Sequence, residues 1–288
     1  MTDTFATPLR MRVFVLTLLA MTAFAGNSLL CRLALKDTSI DAASFTSVRI
    51  ISGALALWLI ARMRGGTHSA SGNWLSALAL FLYASGFSFA YVSLPAGTGA
   101  LLLFGAVQVT MIGYGLWAGE RLRKRQAAGF MFAFGGLIGL LLPGLSAPPL
   151  QGSVLMLGAG VAWGVYSLRG TSSGDATRIT AGNFLRAVPF AGALSVAMLP
   201  WASLDSAGFW YAILSGAVAS GLGYAIWYTA LKGLRTTNAA TVQLSVPLIA
   251  AVGGIVFLGE HLTTRLLITS AAILGGITLV ILDKQHAK

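Results

Sequence analysis

Two arginines stand deep inside apolar stretches of this chain. Arg49 and Arg186 each lie about eight residues from the start of such a stretch. A charge at that depth costs at least about 2.5–3.5 kcal/mol on insertion scales. One reading makes them gates, or anchors for a carboxylate. The other has each guanidinium bonding helix-end carbonyls or snorkelling to the interface. Their recurrence in both halves favours the second, a requirement of the fold.

Aromatic and uncharged polar groups are the other candidates. Tyr83, Phe87 and Tyr91 fall at i, i+4 and i+8, one stripe of a helix. Tyr224 and Tyr228, with Trp227 beside them, form a second patch, and Trp163 lies deep in a third apolar stretch. Buried Tyr and Trp need partners for their polar tips, which lipid cannot supply. They therefore face an interior, as core or as cavity wall. Asn27, Gln108, Gln243 and Ser245 lie equally deep. Interhelical hydrogen bonding, worth about 0.6 kcal/mol on average, is the plain account of such residues. Gln108 and Gln243 have no polar counterpart in the other half, where Leu248 and Leu103 stand. That asymmetry favours contact with a substrate. Pro247, opposite Val107, frees the carbonyl of Gln243 within a helix or kinks the helix for packing or gating.

The chemistry available is binding rather than catalysis. All eight acidic residues (Asp3, Asp37, Asp41, Glu120, Asp175, Asp205, Glu260 and Asp283) lie in tails, loops or span ends, as do His68, His261 and His286. No mid-span carboxylate pair, Ser/His pair or Walker A sequence is present, so no enzyme, metal site or cofactor is expected. Proton-coupled carriers commonly use an intramembrane carboxylate or His; gradient-driven export or exchange is expected instead. The lone cysteine, Cys31, excludes an intrachain disulfide and reads as packing.

The elements that must hold these residues are membrane helices. Of 288 residues, 56% are hydrophobic and 9% charged, against about 25% charged in soluble domains. Such a chain needs lipid against its surface. About 20 apolar residues make a span, and ten stretches qualify: about 12–34, 41–61, 74–93, 98–118, 126–143, 151–169, 180–200, 208–231, 238–258 and 264–282. The N-terminus imitates a signal peptide, with Arg10 and Arg12 before an apolar run, but the run continues to about Leu30 and reads as the first span. With the N-terminus in the cytoplasm, fourteen Lys/Arg fall inside and three outside, a bias that sets the orientation. The +11 net charge is thereby explained as topology signalling, not nucleic-acid binding. Trp58, Trp74, Trp117, Trp201, Trp210 and Tyr211 read as interfacial belt residues.

The halves repeat. Gly119-Glu120-Arg121-Leu122 aligns with Gly259-Glu260-His261-Leu262 at an offset of 140, as does Gly135-Gly136 with Gly275-Gly276. Ala84-Ser85-Gly86 matches Ala219-Ser220-Gly221, and Val48-Arg49 falls near Leu185-Arg186. Five spans per half is odd, so the second half, 147–288, enters inverted relative to 1–146. Secondary transporters of that plan bind substrate near mid-membrane between the repeats. Small-xxx-small pairs at Gly160/Gly164 and Gly135/Gly139 read as close helix contacts.

The Phe-rich first helix, the arginines of spans two and seven, and the Gly-Glu-x-Leu after spans four and nine resemble the EamA repeat of the drug/metabolite transporter superfamily. Within that superfamily the chain resembles the YddG-type exporters of aromatic amino acids. The resemblance implies an all-α basket of ten helices with cytoplasmic termini, multi-pass in a bacterial inner membrane. It also implies a central cavity lined mainly by helices one, three, four, six, eight and nine, carrying an aromatic or apolar amino acid. A monomer is compatible with this plan. A carrier of sugar nucleotides or phosphate esters is the alternative, but it needs several mid-depth cations. A channel or scaffold is the other class.

Overall fold

The computed structural model describes residues 6–64, 72–119, 123–144, 147–170, 175–234 and 242–283, with side chains from 11 to 281. Among these residues every regular element is helical. The helices are α1 (Ala6–Asp37), α2 (Ala42–Met63), α3 (Trp74–Tyr91), α4 (Ala96–Trp117), α5 (Lys124–Leu141), α6 (Leu150–Arg169) and α7 (Ala176–Ala197). They continue with α8 (Ser206–Leu231), α9 (Ser245–Leu258) and α10 (Thr264–Asp283).

Six of them, α1, α2, α3, α4, α8 and α10, are long and apolar enough to cross a membrane, and α9 is a shorter apolar helix. Helices α5, α6 and α7 have 18, 20 and 22 residues but fall short in apolar character. Lys124, Arg125 and Gln126 open α5, glycines and polar residues interrupt α6, and Thr177, Arg178, Thr180, Asn183 and Arg186 lie within α7. Large apolar side chains cover the outside of the bundle, among them Phe14, Leu55, Phe132, Val252 and Phe257. An exterior of this kind is stable only against lipid.

Local chemistry fixes the helix starts. Asp41 accepts from the backbone N–H of Ala43 and Ser44 at the head of α2. Asn73 accepts from Ser76 N–H at α3, Asp175 from Thr177 N–H at α7, and Asp205 from Gly208 N–H at α8. Each satisfies a donor that the first helical turn leaves without an intrahelical partner. The loop acids of the sequence are thus largely helix caps.

The principal packing pairs are α2 with α7 and α8, α3 with α6 and α7, α4 with α6 and α9, α5 with α10, and α1 with α8 and α9. Glycines set the closest approaches. At Gly129 and Gly136 a side chain would collide with Gly276, Ala272 and Ile273, so α5 and α10 meet almost backbone to backbone. Gly160 and Gly164 do the same for α6 against Leu103, Ala106 and Thr110 of α4. Gly135, by contrast, faces open space, and Gly136 beside it makes the contact.

Two elements differ from a simple reading of the apolar runs. Residues Leu214–Leu222 of α8 are wound as a π-helix. Gly216 there lies against the Arg49 carbonyl and Ser52 of α2, where any side chain would overlap. The ninth apolar stretch, expected over 238–258, is broken at Leu244, and α9 begins at Ser245. Pro247 therefore sits in the first turn of α9, where a missing N–H costs nothing. Val242 and Gln243 before it are helical, so the break follows the very carbonyl that Pro247 leaves without its helical donor. Residues 238–241 of that stretch lie outside the described residues, as do Asp3, His68, His286 and the Glu120-Arg121-Leu122 motif.

Candidate functional site

A cavity of about 900 Å³ lies between the helices. It runs from mid-helix residues, including Asn27, Ser28 and Phe87, to the helix ends at Arg64, Asn73, Arg169, Asp175 and Lys232. Those terminal residues are exposed, so the cavity has its mouth there. Helices α1, α3, α4, α6, α7 and α8 and the segment before α9 supply the wall, while α5 and α10 supply none of it.

The centre of the wall is aromatic. Trp163 of α6 lies between Tyr166 and Tyr224, with ring centroids 5.2 and 5.4 Å away and planes within 26° and 25°. Tyr83 of α3 stands 4.7 Å from the same indole. Phe24 of α1 meets Tyr224 and Trp227 edge-on at 5.7 and 6.1 Å. Offset and edge-on arrangements of this kind are worth about 0.5–1.5 kcal/mol each beyond area burial. They hold the rings as a rigid surface.

Polar groups punctuate that surface. The Ser215 hydroxyl, on the π-helical segment, donates to Asn27 Oδ1 at 2.6 Å. Asn27 Nδ2 donates to the Tyr83 hydroxyl at 3.5 Å, and Arg49 Nη2 donates to it at 2.9 Å. Nearer the mouth, Thr180 Oγ1 donates to the Tyr228 hydroxyl at 3.2 Å and Asn183 Nδ2 to that of Tyr166 at 3.4 Å. At the mouth, Arg64 donates to Thr177 and Arg169 to Ser76.

Eight residues singled out from the sequence line this cavity: Asn27, Tyr83, Phe87, Trp163, Tyr224, Trp227, Tyr228 and Gln243. Tyr91, Gln108 and Ser245 do not. Tyr91 is fully buried beyond the cavity, its hydroxyl donating to the Ala96 carbonyl. Ser245 donates to the Val242 carbonyl, turning back onto its own chain. Gln108 is buried on α4 while Phe104, Val107 and Met111 face the space. Pro247 is also outside the lining.

The two arginines part company. Arg49 is 2% exposed and sits behind the Tyr83 and Phe87 rings. Arg186 is half-buried and donates to the Gly182 carbonyl of its own helix. The sequence reading passed over Tyr166, Thr180 and Asn183. The signal was present: Thr177, Thr180 and Asn183 form a polar strip at helical spacing in an apolar stretch, and Tyr166 stands one turn from Trp163.

The end opposite the mouth is closed. Arg32 Nη1 donates to the carbonyls of Tyr91 and Val92 at 2.9 and 3.0 Å, and its Nε meets Glu260 at 3.4 Å. Both Glu260 carboxylate oxygens accept from Ala96 N–H, at 3.0 and 2.8 Å.

A lipid-facing helical bundle around a polar-aromatic cavity, open at one end and latched at the other, defines a multi-pass membrane transporter of small molecules. The chain belongs to the EamA-like transporter family, whose model matches residues 11–142 and 150–282. It is 57% identical over 271 residues to an uncharacterized protein of Pseudomonas aeruginosa, covering 94% of each chain. It is 33% identical over 179 residues to the threonine/homoserine exporter RhtA of Escherichia coli, a match spanning 57% of this chain and 59% of that one. An uncharacterized transporter of Archaeoglobus fulgidus is 26% identical over 301 residues, covering 96% of this chain and 99% of its own. A solved crystal structure, 18% identical, shares the fold with a TM-score of 0.67 over 95% of this chain and 98% of its own.

Proposed function

We propose that this transporter exports amino acids, aromatic or other apolar ones, across a bacterial inner membrane. It does so by alternating access between two inverted five-helix repeats, 1–146 and 147–288. The observation that carries the substrate reading is the position of Trp163, flanked by Tyr83, Tyr166 and Tyr224 in the cavity wall. An aromatic wall stacks on an apolar side chain and takes an ammonium over its ring faces. The lining carries no carboxylate at that depth among the described residues; Asp175 stands at the mouth. The relative named as a threonine/homoserine exporter supports amino-acid export as the class. The phosphate-ester alternative finds less support, because Arg64, Arg169 and Lys232 are all at the mouth.

The ten-span inverted plan is supported by the packing pairs. Exchanging each helix with the one five places away maps α2–α7, α5–α10 and α4–α9 onto themselves. It maps α3–α6 onto α1–α8, and α4–α6 onto α1–α9, so one pattern serves both halves. The Lys/Arg bias then puts both termini, and the cavity mouth, in the cytoplasm.

Counter-flow in proteoliposomes with phenylalanine, tryptophan, leucine, threonine and homoserine tests the substrate. Saturable exchange of the aromatic or apolar members is expected. Exchange confined to threonine and homoserine would replace the aromatic class, and exchange of none would overturn amino-acid transport. For topology, a reporter active only outside the membrane is expected to be silent after Lys288 and active in the 144–150 loop; the reverse pattern overturns the orientation.

A further inference from the structure

We infer that the closed end of the cavity is a carboxylate subsite, in which Tyr83 is the donor and Arg49 a positioning residue that never touches the substrate. This rests on the amino-acid reading above and assigns the orientation in which such a molecule is held.

The inference begins with hydrogen-bond direction. A guanidinium has five donors and no acceptor. The 2.9 Å bond between Arg49 Nη2 and the Tyr83 hydroxyl therefore makes the phenol oxygen the acceptor. Asn27 Nδ2 donates to the same oxygen, its Oδ1 being occupied by Ser215. With the oxygen accepting from two protein donors, the phenol's own hydrogen must go elsewhere. Among the described residues no group accepts it, and Tyr83 lines the cavity. The hydroxyl is thus set to donate into the space where a substrate lies.

Charge points the same way. Arg49 is buried, and no Asp or Glu pairs with it among the described residues. Its Nη1 is buried with no hydrogen-bond partner. Two rings screen it on the cavity side, Tyr83 and Phe87, with centroids 5.2 and 4.7 Å from Cζ. A buried cation without a countercharge is costly and holds its surroundings at positive potential. An anion accepting from Tyr83 would lie one ring away from that charge and offset it. A neutral amide or amine at the same place would gain nothing from it. The cavity therefore selects for a carboxylate at the closed end, with the rest of the substrate extending past Trp163 towards the mouth.

The test is equilibrium binding to the purified protein, with phenylalanine and its amide as a matched pair, at a pH below the α-amino range so that both carry the ammonium and differ in the carboxylate. Wild type is expected to bind phenylalanine at least about tenfold tighter than the amide. Tyr83→Phe is expected to abolish that preference by weakening phenylalanine alone, the amide staying within about twofold. Arg49→Met is expected to do the same, with Arg49→Lys recovering part of the preference. An unselective wild type, or variants that lose acid and amide equally, would overturn the inference. If neither phenylalanine compound binds, the aromatic reading fails instead. Threonine and threoninamide then decide the subsite by the same comparison, and absence of discrimination or of binding there overturns it.

Discussion

At the scale of single residues, the decisive question is why an indole stands at the cavity centre. Trp163 is fixed by rings on three sides and is only partly buried, so the part of the indole left open to the cavity is presented without loss of side-chain freedom on binding. A cation over such a face gains up to about 2 kcal/mol when desolvated, and stacking adds about 0.5–1.5 kcal/mol. Losing either weakens affinity roughly tenfold. Trp163→Ala is therefore expected to raise the KM of counter-flow about tenfold and, through the lost ring contacts, to lower the melting temperature, with Trp163→Phe retaining part of both. Normal transport by Trp163→Ala would make the residue packing. The same scale shows why some candidates were legible and others not. Trp163, Tyr83, Asn27 and Gln243 stood out because polar tips at mid-span demand an interior partner. Tyr91 and Ser245 meet that same demand with a nearby carbonyl, which composition cannot distinguish from a cavity contact. Arg49 and Arg186 occupy matching places in the repeat, yet one is sealed behind two rings and the other bonds its own helix. The difference lies in which neighbours surround them, and spacing along one chain does not report it.

At the scale of elements, helix ends and close approaches carry the architecture. Asp41 caps α2 and also accepts from Ser203 N–H at 2.9 Å, while Asp41 N–H donates to the Ser203 carbonyl at 3.0 Å. The head of α2 is thereby tied to the turn before α8. Partial burial pushes this carboxyl up, but hydrogen bonds from the Ser44 hydroxyl and from the N–H groups of Ser203, Ser44 and Ala43 outweigh it and hold it below its ordinary value. A depressed carboxyl stabilises the fold above its unfolded value, near pH 4, and loses that contribution as pH falls through the folded one. Asp41→Ala is expected to lower stability by about 0.5–2 kcal/mol at pH 7, read as a lower melting temperature in detergent. The gap to wild type should close below about pH 4; a gap independent of pH would remove the carboxylate from the account. The apolar runs and cap residues made most of the helices legible. The π-helical turn of α8 was not, because its cause is the contact of Gly216 with α2, a tertiary fact. Gly216→Ala is expected to push α2 and α8 apart, shift Ser215 off Asn27, and lower both melting temperature and substrate affinity. Unchanged affinity with a lowered melting temperature would confine the π turn to packing.

At the scale of the whole molecule, the cavity is open at one end because the other is latched. Arg32 at the end of α1 binds the last carbonyls of α3, Lys36 donates to the Leu258 carbonyl at 3.0 Å at the end of α9, and Glu260 receives the first N–H of α4. Each charge sits at the helix pole of opposite sign, so four helices are held together by polar groups at one face of the membrane. Gly254 makes room for this, since a side chain there would overlap the Glu260 carboxylate. Alternating access requires this latch to break whenever the closed end opens. Glu260→Gln keeps an acceptor for Ala96 but removes the charge that holds Arg32. A loss of about 1.4 kcal/mol from the closed state raises the open population tenfold. The sole cysteine reports it directly: Cys31 is buried beside Arg32 at the latched end. A membrane-impermeant maleimide applied from that side is expected to label Cys31 slowly in wild type and about tenfold faster in Glu260→Gln. Addition from the mouth side should not show this acceleration. Equal labelling of both proteins from the latched side would mean that the Arg32–Glu260 pair does not govern opening.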